Sequence, residues 1–283
     1  MAGNQLPGNK HYLYRVLHLC GLLLLLGFVL APFGQMLSTS LKSPQEQFVI
    51  PVHFIPQRIT FVNFLQALGY QAFVRYFFNS FIVAVSTTLL TIVIALMGAY
   101  GFTRIDFPGR RFFLTLVLFG QMFCLAAIVI PIYKILGSLG LINSYWGLLI
   151  CYLTFSVPTA IWLFRSFLLN IPIEMEEAAM TEGATKFGAF WKVVIPMMKP
   201  AVGAVGAYVF FLCWQEFLFA LIIMTDKQFR TLPVGIMDFV GQYETNWGNL
   251  MAASILIALP VFLIFLLLQR QLIAGLTEGA VKG

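Results

Sequence analysis

The chain is 283 residues long, 60% hydrophobic and only 10% charged. Soluble domains carry about 25% charged residues, so this balance excludes a soluble globular protein and indicates an integral membrane protein. The formal charge of +6 is scattered between apolar runs and reads as membrane topology, not nucleic-acid binding.

Apolar runs fall at about 16–37, 76–101, 112–136, 146–169, 201–224 and 250–269. Each is near the ~20 residues an α-helix needs to cross the hydrocarbon. They are too long for barrel strands, and hydrocarbon leaves no backbone group unpaired, so the fold class is an all-α membrane protein. Six transmembrane helices in one domain over 1–283 are predicted.

Met1 to Arg15 is polar and basic and precedes the first run. That run is longer than a secretory h-region and no small-x-small cleavage site follows, so it reads as an uncleaved first span. Residues 38–75 form the longest outer interval, with Pro44, Pro51 and Pro56 as helix breakers. Ile59 to Leu68 suits a short amphipathic helix there. Thr103 to Arg111 is a short basic turn, and Gly137 to Tyr145 a short outer connection. Pro158 predicts a kink in the fourth span. Thr225 to Asn249 is the last outer loop, and Pro260 lies in the sixth span. With both termini cytoplasmic, eleven of the 17 lysines and arginines lie on inner segments and six on outer ones, as the positive-inside rule requires.

That topology places the polar stretch Asn170 to Pro200 in the cytoplasm. It holds Glu174, Glu176, Glu177, Glu182, Lys186, Lys192 and Lys199. Pro172 suits a first helical turn, and the three glutamates after it favour a helix N-terminus. Gly183 offers a stop. Ala178 and Ala179 leave one face nearly bare, open to another protein's backbone. A second short segment, Ala184 to Lys192, leads to Pro196, and Pro200 is a candidate for opening the fifth span. By spacing alone, the block is equally an ordinary surface helix with solvated charges.

Elsewhere the chemistry is sparse. Cys20, Cys124, Cys151 and Cys213 all lie in apolar runs without a Cys-x-x-Cys pair, and His11, His18 and His53 form no ligand cluster, so no metal site is indicated. Gly183-Ala184-Thr185-Lys186 lacks the spacing of a nucleotide-binding loop. No catalytic constellation and no cofactor of this chain's own are expected. Glu216 is the acid placed inside a span, where acids face a protein interior or a water-filled path. With Trp214 and Gln215 it could line a solute pathway, where aromatic faces stack and polar groups pair with hydroxyls; gating or helix packing is the alternative. Gly98, Gly101, Gly203, Gly206 and Ala207 read as close-packing positions. The phenylalanines read as lipid-facing or packing groups, and Arg104, Arg110 and Arg111 as topology anchors.

Glu177-Ala178-Ala179, three residues, Gly183, nine residues, then Val193-Val194-Ile195-Pro196 resembles the E-A-A motif of importer-type ABC transporter permeases, with Val193 and Ile195 as mild apolar departures. Further similarity lies in Ser40-Leu41-Lys42, Asn79-Ser80, Trp214 to Ala220, Thr231 to Gly235 and the tail Gly275 to Gly283. Together these resemble the binding-protein-dependent carbohydrate-uptake branch, the maltose-permease-like subunit. The resemblance implies that the loop between spans four and five is a cytoplasmic coupling helix. Glu177, Ala178, Ala179, Gly183 and Pro196 would then dock on an ATPase, and the tail from Thr277 could touch it too. It implies a second homologous permease subunit, a cytoplasmic ATPase dimer that uses ATP and Mg, an extracytoplasmic solute-binding protein and a sugar substrate. The setting would be a bacterial or archaeal cytoplasmic membrane. Asn79, Trp214, Gln215 and Glu216 are the candidates for a translocation pathway. A permease for a non-sugar solute, an ion-coupled secondary transporter and a membrane-embedded enzyme are the rival readings.

Overall fold

Helices dominate because lipid offers no partner to a free backbone group. The computed structural model of the chain describes residues 8–51, 53–122, 125–241 and 245–280, with side chains from 14 to 269 except residue 71. The expected ATPase contact through Thr277 to Gly283 lies outside the described side chains. Among the described residues the β contact is an isolated antiparallel bridge between Val240 and Thr245. The chain packs as two units, one of residues 1–69 with 239–256, the other of 70–238 with 257–283.

In the first unit, α1 (Gly8–Leu41) is exposed along residues 14–35, an apolar surface suited to lipid. The amphipathic helix expected at the outer surface is α2 (Val62–Gly69). It is tied to the end of α1 by buried Asn63, whose Nδ2 donates to the carbonyls of Ser40 at 2.8 Å and Lys42 at 2.7 Å. Lys42 is itself buried, its ammonium donating to the His53 carbonyl.

The second unit begins with α3 (Gln71–Arg104), then α4 (Arg110–Phe119) and α5 (Leu125–Ser138). The fourth span is α6 (Tyr145–Leu168), which runs through Pro158 without interruption. The polar stretch forms α7 (Glu174–Thr181), α8 (Lys186–Ala189), a π-helical turn Phe190–Val194, and α9 (Ile195–Met197). Then come α10 (Lys199–Trp214), with Pro200 in its first turn, α11 (Leu218–Ile223) and α12 (Leu232–Gly235). The last helix, α13 (Trp247–Ala280), begins in the first unit and ends in the second.

Among the described residues four helices are long and apolar enough to cross a membrane singly, and the number rises to six if two bent pairs each count as one span. Those pairs are Arg110–Met122 with Leu125–Ser138 and Lys186–Met197 with Lys199–Trp214, and the helix bounds correct two expectations. The third span is not one helix over 112–136, because α4 gives way to a 3-10 turn at Gly120–Met122. Gly120 there lowers the cost of leaving the helix. The fifth is not one helix over 201–224, because it stops at Trp214 and restarts at Leu218.

The core of the second unit is α3 against α6 and α10. Small residues bring the helices together, as dispersion in lipid requires. A Cβ on Gly98 would meet Ile161 Cδ1 at 3.0 Å, and one on Gly206 would meet Ile92 Cδ1 at 3.2 Å. Gly101, by contrast, has open space beside it and borders a groove described below. Between α3 and α6 the buried hydroxyls of Thr91 and Ser156 satisfy each other at 2.7 Å.

Candidate functional site

Three polar constellations stand out in the second unit. The first is the polar stretch after α6. α7 carries Glu174, Glu176 and Glu177 in its first turn, where the helix dipole favours them. It ends in a Schellman motif: Ala184 N–H donates to the Ala179 carbonyl at 3.0 Å and Gly183 N–H to Met180 at 3.0 Å. The motif needs a left-handed residue at Gly183, whose φ is +94°. α8 then starts on Thr185, whose hydroxyl accepts from Gly188 N–H at 3.0 Å, a side-chain N-cap.

Glu176 and Glu177 have opposite fates. Glu177 and Ala178 are exposed and Ala179 is half-buried. Glu176 is 3% exposed. Its Oε1 accepts from Arg104 Nε at 2.6 Å, and its Oε2 from the Tyr100 hydroxyl at 2.9 Å. Arg104 Nη2 also donates to the carbonyl of Ile171 at 2.6 Å and, more weakly, of Leu168 at 3.4 Å. Burying a carboxylate is tolerable only with such charge-assisted bonds. Arg104, expected to be a topology anchor, therefore joins the C-terminal end of α3 to the end of α6 and to α7. Next to this clamp lies a groove of about 430 Å³, lined by Met97, Gly101, Ile173, Glu177, Phe187 and Phe190 among others. Pro196, at the far end of the motif, is exposed in the first turn of α9.

The second constellation is at the break in the fifth span. Glu216 is half-buried, and its carboxylate accepts from the backbone N–H groups of Phe219 at 2.9 Å and Ala220 at 3.1 Å. It thus supplies acceptors to the free donors that open α11. Tyr152 of α6 donates its hydroxyl to the same carboxylate at 2.9 Å. Gln215 beside it is exposed. Trp214 is 2% exposed, stacked on Phe210 at 5.4 Å between ring centroids and edge-on to Phe77 at 5.6 Å. Its indole N–H donates to the Ile257 carbonyl at 3.1 Å. The structure therefore brings Gln215 and Glu216 together at a helix break and sends Trp214 into packing.

The third constellation holds the N-terminal end of α3 to the loop after α11. Asn79 is buried; its Nδ2 donates to the carbonyls of Gln228 at 3.0 Å and Arg230 at 2.9 Å, while its Oδ1 accepts from Tyr145 at 2.7 Å. Ser80 Oγ accepts from Leu232 N–H at 2.7 Å. Asp238 receives the Tyr76 hydroxyl at 2.7 Å, the Tyr70 hydroxyl at 3.2 Å and Arg230 Nη1 at 2.9 Å. Partial burial, and then the Asp238 carboxylate, push the Tyr70 phenol above its ordinary range. Asn79 thus braces a loop with its amide fully engaged. Gly235 fits directly under the Tyr76 ring, where a Cβ would overlap the ring carbons. Gly235→Ala should therefore loosen the loop at a cost of about 1–3 kcal/mol, measured as faster proteolysis of the loop in right-side-out vesicles.

Sequence reasoning singled out the Glu177 motif, Asn79 and Glu216, and missed the partners Arg104, Tyr100, Tyr152 and Asp238. The four-residue spacing of Tyr100 and Arg104, which puts both on one face of α3, was the available signal.

Known transport permeases resemble the chain in sequence, and a solved structure resembles it in fold. It is 36% identical to the sulfoquinovosyl glycerol transport system permease protein SmoH of Agrobacterium fabrum, over 90% of this chain and 89% of that one. It is 33% identical to the trehalose/maltose transport system permease protein MalG of Thermococcus litoralis, over 97% of this chain and 99% of that one. Its fold matches a chain of a bacterial ABC transporter involved in the import of the acidic polysaccharide alginate, with a TM-score of 0.81 at 20% identity, covering 94% of this chain and 99% of that one. The family model of the binding-protein-dependent transport system inner membrane component matches residues 88–278, which take in α7, the helix break and the second half of α3, and the chain belongs to that family.

Proposed function

We propose that this chain is a membrane-spanning subunit of an ATP-driven importer for a sugar or oligosaccharide delivered by an extracytoplasmic solute-binding protein. It works beside a second, related permease subunit and a cytoplasmic ATPase dimer, which binds the ATP and Mg. Six spans, two of them broken, cross the cytoplasmic membrane with both termini inside.

The observation that carries this reading is the presentation of α7. A short helix shows Glu177 and Ala178 to solvent while the adjacent Glu176 is locked to α3. An exposed acid beside bare alanines, on a helix held rigid from behind, is suited to docking. In this reading Glu177, Ala178, Ala179 and Gly183 form the coupling helix's docking surface, with Pro196 closing the motif. Glu177 meets a basic residue of the ATPase. Gln215 and Glu216, at irregular backbone of the kind tolerated only where it faces protein or water, border the translocation pathway. The sugar class is supported by the substrates named for SmoH and MalG.

The ion-coupled alternative would use Glu216 as its proton or cation carrier. Glu216 already accepts three hydrogen bonds as a helix cap, which favours a structural acid. Solute uptake into membrane vesicles tests the choice. Uptake should need internal ATP, survive an uncoupler and stop when the binding protein is withheld. Uptake driven by an ion gradient without ATP would overturn the importer reading.

A further inference from the structure

We propose that Arg104 is a positioning residue that makes α3 the carrier of movement between α7 and the last outer loop. The inference rests on the importer reading above and deepens it. α3 is gripped at both ends by buried polar groups. At its inner end Arg104 and Tyr100 hold Glu176 of α7, and Arg104 also holds the carbonyl of Ile171. At its outer end Tyr76, Asn79 and Ser80 hold Asp238, the carbonyls of Gln228 and Arg230, and the N–H of Leu232. Between the two grips α3 is one unbroken helix. The fifth span, which also follows α7 in sequence, is broken at 215–217 and cannot transmit as one rod.

The chemistry at the inner grip suits this role. The Arg104 guanidinium is planar and always charged, and engages the carboxylate and the carbonyl on separate nitrogens, fixing orientation as well as distance. The pair is largely shielded, with side-chain exposures of 11% for Arg104 and 4% for Glu176, so little water competes for it. Glu177 is exposed where Glu176 is buried, so docking and linkage use different residues of one helix turn. A displacement of α7 by the ATPase is then passed to α3, and through it to the loop at 227–239.

The test uses the whole transporter, purified through a tag on this chain with whatever permease and ATPase co-assemble, in lipid nanodiscs. Met237, exposed beside Asp238, is changed to Cys as a reporter for a membrane-impermeant maleimide, with the Met237-containing protein as background. The probe is MgATP with orthovanadate. In the otherwise unaltered complex the labelling rate at 237 should change by about five-fold or more on trapping. The double variant Arg104→Met/Glu176→Leu replaces the ion pair by apolar groups of similar size, a swap that buried pairs often tolerate. It should retain the ATPase and hydrolyse ATP, yet lose the response at 237.

A double variant that assembles and responds like the parent overturns the proposal. A double variant that inserts but loses the ATPase also overturns it, since the pair would then belong to the docking surface. If the double variant fails to insert, Arg104→Lys carries the test. It keeps the charge without the fork, and the response at 237 should fall by about three-fold; an unchanged response overturns the proposal. If the parent complex retains no ATPase, the importer reading itself fails. If it retains an active ATPase but position 237 never responds, only the linkage fails.

Discussion

Replacing Gly183 by Pro should abolish solute uptake while the protein still inserts in the membrane. Gly183 sits at φ +94°, and proline is fixed near −65°. The change also deletes the N–H that closes α7 on the Met180 carbonyl, so the end of the helix would unwind at a cost of about 3 kcal/mol. Gly183→Ala keeps the N–H but must hold a side chain in left-handed backbone, at about 1–2 kcal/mol, and should give partial uptake. Gly183→Asn should be the mildest change, because asparagine also closes helices in this conformation. Glu177→Lys supplies the complementary result. The residue is exposed, so folding should be nearly unaffected, yet uptake should vanish through a reversed charge at the docking surface. Membrane-inserted protein measured beside uptake checks both. Normal uptake by an inserted Glu177→Lys protein would remove the docking role of that residue.

Replacing Glu216 by Ala should cost stability and transport together. The carboxylate receives a tyrosine hydroxyl and two backbone N–H groups. Removing it orphans donors that have few other partners at that depth, a loss on the order of 3 kcal/mol. The start of α11 should fray, lowering the melting temperature in detergent. Glu216→Gln keeps one acceptor oxygen and should recover most of the stability. That variant separates the two roles still open to this residue. Unchanged sugar preference and uptake would leave Glu216 as a cap alone, whereas altered preference at normal stability would put it against the solute.

The parts of the fold read correctly from the sequence are those whose cause is local. α7 was legible because proline, three glutamates and a glycine each favour one position in a short helix. The first, second, fourth and sixth spans were legible because hydropathy is set residue by residue. The breaks were not. Ala201 to Met224 contains no proline to mark a break, and hydropathy does not show that Glu216 accepts from Phe219 and Ala220. Glu176 and Glu177 are adjacent and chemically identical. They point about 100° apart on a helix, and only the position of Arg104 on α3 decides which is buried. Trp214 and Asn79 are expected at the pathway, Asn79 from the family resemblance, and their partners Ile257, Gln228 and Arg230 lie too far along the chain for local pattern to show.

The length of α3 has a consequence for the lipid around it. From Tyr76 to Arg104 the helix measures about 42 Å, close to the ~40–45 Å of a bilayer with its headgroups. An α3 that crosses the bilayer along its normal puts the two buried clusters in opposite headgroup layers, where their charges retain some hydration. A thinner membrane can be met by tilting the helix, but a thicker one draws one cluster into hydrocarbon. The spacing of the clusters sets α3 as a gauge for one membrane thickness, and transport should decline more steeply as acyl chains lengthen than as they shorten.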